Sequence, residues 1–200
     1  MMLFTKASDI VATVCGLYRV FLFLSTISIA TTQASCTPEH PNNTDTALHW
    51  YSCSEPDDAF VVHTLSLYDR AGASNYPISV RRGILVDVNA TNESGRTYDD
   101  VLMDGRVFYW GRLFGIGTCK WHEIPTLGLT HNTDACAMMK TCPVRPGPAP
   151  FRQLLDFGPF GVVLDQLGGN TVYQVEMTAK AGTPPHYEQL ACMRVQGFMQ

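Results

Sequence analysis

Apolar residues in the middle of this chain return at every second position. In "AFVVHTLSLY", Ala59 to Tyr68, Val61, Leu65 and Leu67 fall on one face with His63 among them. In "GILVDVNA", Ile84, Val86 and Val88 oppose Asp87 and Asn89. A period of two marks a strand with one buried face. "RVFYWGRLFGIG", "GPFGVVLDQL", "NTVYQVEMTAK" and "EQLACMRVQGF" extend the set, each bounded by Gly, Pro or Asn. No segment holds the helical period of about 3.6 for three turns between caps. The fold class this predicts is all-β, a two-sheet antiparallel immunoglobulin-like β-sandwich, in one domain over residues 48–198. Residues 35–47, "SCTPEHPNNTDTA", read as a loose polar lead.

The compartment follows from residues 1–34. Lys6 and Arg19 precede the apolar run "VFLFLSTISIA" and the small, polar "TTQAS". That order is expected of a secretory signal peptide cleaved near Ala34. The run is too short for a membrane-spanning helix, which needs ~20 apolar residues. Cys15 falls in this leader, and six cysteines come after it: Cys36, Cys53, Cys119, Cys136, Cys142 and Cys192. In an oxidising compartment an even set predicts disulfides. The spacing in "CAMMKTCP" fits neither a C-x-x-C redox site nor a zinc pair, so Cys136 and Cys142 read as a short staple with Pro143 setting the exit direction. Sequons at Asn42, Asn89 and Asn92 predict a glycoprotein, secreted or in the lysosomal lumen.

Several function classes are disfavoured. The net charge is -4 and no Lys/Arg block occurs, which argues against nucleic acid as a partner. The six histidines show no metal-binding spacing, so no metal and no cofactor are expected. There is no nucleophile elbow or phosphate-binding loop, and Asp99 and Asp100 are adjacent, which in a strand sends them to opposite faces. The chain therefore reads as no enzyme, with no catalytic residues. His63, inward on its strand, reads first as a hydrogen-bonded core histidine; in a lysosome, His63 or His122 would be the side chain to change charge on acidification.

Four stretches carry a family resemblance: "HWYSCSEPDDAFVVHTLSL", "FGIGTC", "CAMMKTCP" and the closing "YQVEMTAK...EQLACMRVQGF". In order and spacing they resemble the ML lipid-recognition domain superfamily, its ganglioside-activator branch most of all. The C-x5-C-Pro unit is also similar to the sterol-carrier branch. The resemblance implies a β-sandwich cup with splayed sheets and a Cys53–Cys192 bridge. Cys36 with Cys119 is the pairing left over; a free Cys119 is the alternative, since the activator branch has more cysteines in its central loop. It also implies a non-enzymatic carrier that holds a membrane lipid (glycosphingolipid, phospholipid or sterol), touches membrane surfaces transiently, and presents its cargo to a lysosomal glycosidase or an acceptor membrane. A secreted co-receptor for lipid-bearing ligands is the reading from another class. The lipid-binding candidates are Phe108, Trp110, Leu113, Phe114, Ile116, Trp121, Phe151, Leu154, Leu155, Phe157 and Phe160. They come from "WGRLFGIG" and "PAPFRQLLDFGPFG", stretches whose Gly and Pro suit a mobile apolar lip.

Overall fold

The computed structural model describes residues 36–79, 83–113, 116–140, 142–155 and 171–200. The signal peptide expected over residues 1–34 and the strand expected at "GPFGVVLDQL" lie outside these. The described chain is all-β, with two antiparallel sheets that do not close into a barrel. Its strands are β1 (His49–Ser52), β2 (Phe60–Tyr68), β3 (Ile84–Asn92), β4 (Leu102–Leu113), β5 (Ile116–Ile124), β6 (Thr133–Asp134), β7 (Gly147–Pro148), β8 (Phe151–Leu155), β9 (Thr171–Thr183) and β10 (His186–Met199). The larger sheet runs β1-β10-β9-β4-β5, with β6 on β4. In the smaller sheet β3 is flanked by β2 on one side and by β7 and β8 on the other.

The β9–β10 hairpin is the longest pairing, from Thr183↔His186 to Thr171↔Met199. Gly182 at its tip has φ +105, and a Cβ there would sit 2.5 Å from the His186 carbonyl oxygen. Only glycine fits. Inward faces follow from the ladder. Val195 pairs with Val175, and Val175 with Val107. Val195 packs in the core against Leu65, Val86 and Val88 of the smaller sheet, so residues in phase with it point inward.

One strand breaks the expected alternation. The β2–β3 register shifts between Val62 and Thr64, leaving His63 as the extra residue. A bulge reverses which side chains face the core. Phe60 and Val62, rather than Val61, therefore join Leu65 and Leu67 inside, and Val61 is 38% exposed. His63 lies on the outer face, where its Nε2 is 2.8 Å from Thr91 Oγ1. It is not the inward residue that plain alternation predicts.

The lead is also fixed rather than loose. Cys36 is bonded to Cys119 on β5, and Trp110 Nε1 donates to the Pro38 carbonyl at 2.9 Å. His40 meets Phe198 edge-on at 4.8 Å, and Asn42 Nδ2 donates to Gln196 Oε1 at 2.6 Å. Pro41 and Thr44 are buried beneath this layer. The segment thus covers part of the outer face of the larger sheet, meeting Trp110, Gln196 and Phe198 there.

Cys53 is bonded to Cys192 across a separation of 139 residues, joining the end of β1 to β10. Cys136 is bonded to Cys142. Replacing Cys53 and Cys192 together with serine is expected to lower the unfolding free energy by roughly 5 kcal/mol, against roughly 2 for the Cys136/Cys142 pair, on the chain-entropy scale. Urea unfolding of the two double variants checks both the order and the gap.

Ion pairs occupy the outer face of the larger sheet. Arg106 donates to both oxygens of Glu123, at 3.0 and 2.6 Å, and to Glu176 at 3.2 Å. Those bonds hold the Glu123 carboxyl below its ordinary value. Burial pushes the Asp104 carboxyl up, but the Asn132 N–H, the Lys180 ammonium and His131 outweigh it, and the net shift is downward. A carboxyl depressed on folding stabilises fully above its unfolded pKa, and that stability is lost as pH falls through the folded value. The carboxylate contribution is expected to hold from pH 7 to about 5 and to decline only below about 4. Urea midpoints across that range test this, and the acid decline of Asp104→Asn should be shallower than that of the wild type.

Candidate functional site

The inward side chains shrink along the sandwich. On β10 the row runs Val195, Met193, Ala191, and on β9 the paired row runs Val175, Met177, Ala179. On β3, Val86 and Val88 give way to Ala90. At the valine end the sheets meet in a packed cluster of Leu65, Ile78, Ile84, Val86, Val88 and Val195. Beyond the alanines a second cluster forms from Tyr98, Val101, Ala135, Val144, Ala181 and Leu190. Between the two clusters four alanines, Ala90, Ala149, Ala179 and Ala191, leave the sheets without enough side chain to fill the gap. The result is a cavity of about 320 Å³, also walled by Phe60, Val62, Met103, Met177, Met193 and Phe151.

The remaining wall is a rim built from the C-x5-C-Pro unit and residues 144–150. Asp134 caps the short helix α1 (Ala135–Met139), its Oδ1 accepting from Ala137 N at 2.9 Å. Lys140, at φ +54, ends the helix by donating its N–H to Cys136 O. The Cys136–Cys142 bridge then returns the chain to Pro143. Val144 and Tyr98 exchange two backbone hydrogen bonds, at 3.0 and 2.8 Å, and Ala149 N donates to Ala90 O at 2.8 Å. Pro143, Pro148 and Pro150 in the rim carry no N–H, so these positions present no backbone donor to the cavity. Arg145 is the one charged residue among the described lining residues.

Asn92 braces this rim from within. Its Nδ2 donates to Arg96 O at 2.8 Å and to Val144 O at 3.4 Å, while Oδ1 accepts from Ser94 N and Oγ. The side chain is 2% exposed. Both amide hydrogens are committed, so in this fold the Asn92 side chain serves as a structural turn and leaves no room for a glycan. Asn89 points outward and is exposed. Exposed Asn42 donates one hydrogen bond through Nδ2, and an N-linked glycan would leave it one hydrogen for that bond. Peptide mapping is expected to find glycan at Asn42 and Asn89 and none at Asn92. Asn92→Ala should cost about 1–3 kcal/mol by leaving buried partners unsatisfied, and Asn89→Gln should be nearly neutral.

Of the residues singled out in the sequence, Phe151 lines the cavity. Phe108, Trp110 and Trp121 do not. They are one position out of phase with Val107 and Ile124, and so lie on the outer face of the larger sheet. There Trp110 and Trp121 pack at 5.4 Å, Trp110 holds the lead, and the Arg106 guanidinium lies 5.1 Å above the Phe108 ring. Leu113 and Ile116 close the β4–β5 hairpin at 49% and 78% exposure, ten residues or more along the sheet from Met103 of the cavity. Leu154 pairs with Leu85 on the outer face of the smaller sheet and is also exposed. Leu155 is placed by its backbone at the end of β8. Phe114, Phe157 and Phe160 lie outside the described residues.

The wall was missed because it consists of small and flexible apolar residues rather than bulky ones. Alanine recurring at the inward phase of three strands, Ala90 on β3, Ala179 on β9 and Ala191 on β10, was the available signal. Among the described lining residues there is no carboxylate, imidazole, hydroxyl or thiol, and so no group to move a proton or attack a substrate. Among the described residues no cluster of three or more His, Cys, Asp or Glu could hold a metal ion. Such a site can gain free energy from burying apolar surface and from one cation. His122 lies on the inward face, stacked on Tyr109 at 5.2 Å, with its buried Nε2 unpartnered. It is not among the described lining residues. No protein-family model matches the chain, and no curated protein matches it.

Proposed function

We propose that this protein is a non-enzymatic lipid-binding and transfer protein of the ML type, with the inter-sheet cavity as its cargo site. The observation that carries this reading is an apolar space of about 320 Å³ that divides the core in two. It is walled by alanine, methionine, valine, proline and phenylalanine with one arginine, and without catalytic groups among the described lining residues. A domain built only for stability would close such a gap, since close packing is the general state of protein interiors.

Small-molecule pockets run from about 300 to 1,000 Å³. This one is at the low end and suits one aliphatic chain better than two. Each methylene moved from water into it contributes ~0.8 kcal/mol, so about ten would supply roughly 8 kcal/mol before the costs of association. The cargo is a membrane lipid that inserts a chain and leaves its head at the rim. A glycosphingolipid held this way has its sugar in water, within reach of a lysosomal glycosidase, and the protein acts by replacing the bilayer around the chain. Three disulfides are compatible with an extracellular or lumenal protein. Secretion or delivery to the lysosome, with brief contact at membrane surfaces, completes the proposal.

The test is to recover the protein from the medium of expressing cells, record its native mass, and identify what organic extraction releases. A sphingolipid or phospholipid in stoichiometric amount is the expected result; a sterol would shift the assignment to sterol transfer. Ala179→Phe places a ring in the cavity and is expected to remove most of the lipid without lowering the thermal midpoint. A wild-type protein that is empty, and stays empty after incubation with liposomes, would overturn the carrier function.

A further inference from the structure

We infer that the cavity selects an aliphatic chain ending in an oxyanion, with Arg145 as the residue that recognises it. The inference rests on the cavity being a lipid site, and it narrows that reading to a chemical class. Arg96, Arg106, Arg152 and Arg194 each have a carboxylate partner: Glu188, Glu123 with Glu176, Asp87, and Glu176. Among the described residues Arg145 has none, and no Asp or Glu belongs to the described lining residues. Arg145 is therefore a charged residue without a neutralising group among them, on the rim of an apolar space.

Position makes that charge useful. Arg145 follows Val144, which is locked to Tyr98 by two backbone bonds and to Asn92 by a third. On its other side Ala149 N is bonded to Ala90 O. The backbone carrying Arg145 is thus pinned on both sides, with the Cys136–Cys142 staple just before it. Holding the backbone in advance lowers the cost of ordering this rim when a ligand arrives. Prolines 143, 148 and 150 offer no backbone donor, so the polar recognition of a head group falls largely to one side chain. Guanidinium presents a planar fork of donors that matches carboxylate and phosphate, and the apolar wall behind it strengthens the pairing relative to open water. An alcohol or ester head gains much less, and an ammonium head is repelled.

A carboxylate on a fatty acid and a phosphate monoester on a lysolipid share this chemistry, and the test separates them. Binding of lauric acid, lauryl phosphate and lauryl alcohol to the full folded protein would be measured by calorimetry below their micellar concentrations. We expect the two anions to bind at least about tenfold more tightly than the alcohol, as one charge-assisted hydrogen-bonded pair allows. The tighter of the two identifies the head group. Arg145→Gln should bring the two anions down to the affinity of the alcohol, and Arg145→Lys should restore part of the preference. Because Arg145 is exposed, neither substitution is expected to alter the fold, and a thermal melt checks this. Equal binding of all three by the wild type, or a preference that survives Arg145→Gln, would overturn the inference and leave the lipid cavity standing. Failure of all three to bind, with no lipid recovered from cells, would overturn both.

Discussion

Side-chain volume on the inward faces is the constraint on which the rest of this structure depends. Two sheets can approach only until their side chains touch, and here they touch at both ends of the sandwich and not in the middle. Leu65, Val86, Val88 and Val195 form one support, and Tyr98, Val101, Val144 and Leu190 form the other. Between them the alanines cannot reach across, and neither sheet can sag without losing contacts at a support. Were a space of about 320 Å³ sealed and dry, the rate measured for emptied cores would put its cost on the order of 8 kcal/mol, an upper bound for one that opens at a rim. That is comparable to the whole net stability of a typical domain, about 5–15 kcal/mol. A chain that keeps such a space needs reinforcement elsewhere. The Cys53–Cys192 bridge, joining residues 139 apart, contributes roughly 5 kcal/mol of such reinforcement by constraining the unfolded chain.

Register irregularities decide which residues reach the space. The bulge at His63 turns Phe60 and Val62 inward, and both line the cavity. A second shift, between Gln189 and Ala191 on β10, lets Leu190 enter the far cluster while Ala191 faces the cavity. With unbroken alternation adjacent residues would face opposite sides, and one of these two would be lost from the interior. The short helix between Asp134 and Lys140 does a related task outside the sheets. It folds the C-x5-C segment into one closed turn, so that Pro143 and Val144 enter the rim from a fixed direction.

The two-sheet fold was legible because it rests on repetition. Strands such as "GILVDVNA" declare their buried face several times over, and β3 follows that alternation from Ile84 to Asn92. The site was less legible because it is defined by volume that is missing. A search for large aromatic residues led to Trp110, Trp121 and Phe108, which serve the outer face, since a one-residue change of phase moves a side chain to the other side of a sheet. Local sequence says nothing about a bulge such as that at His63. The structural use of Asn92 was not legible for a different reason. Asn-x-Ser is also a common way to build a hydrogen-bonded turn, and only burial distinguishes the two uses.

Under the carrier reading proposed above, the same geometry bears on where cargo would enter. Along the larger sheet, β10 and β9 are paired from end to end, so separating them would break a long ladder at once. On the smaller sheet β2 and β3 are paired from Tyr68↔Leu85 to Phe60↔Asn92. The rim from Pro143 to Pro150 is attached far more lightly, through Val144 with Tyr98 and Asn92, Ala149 with Ala90, and the two-residue pairing of β7 with β3. Local opening costs least where the fewest hydrogen bonds and apolar contacts must be given up. The rim is therefore the part of the wall that can yield, and its disulfide staple keeps the segment intact when it does. The only cation among the described lining residues, Arg145, is carried on that segment.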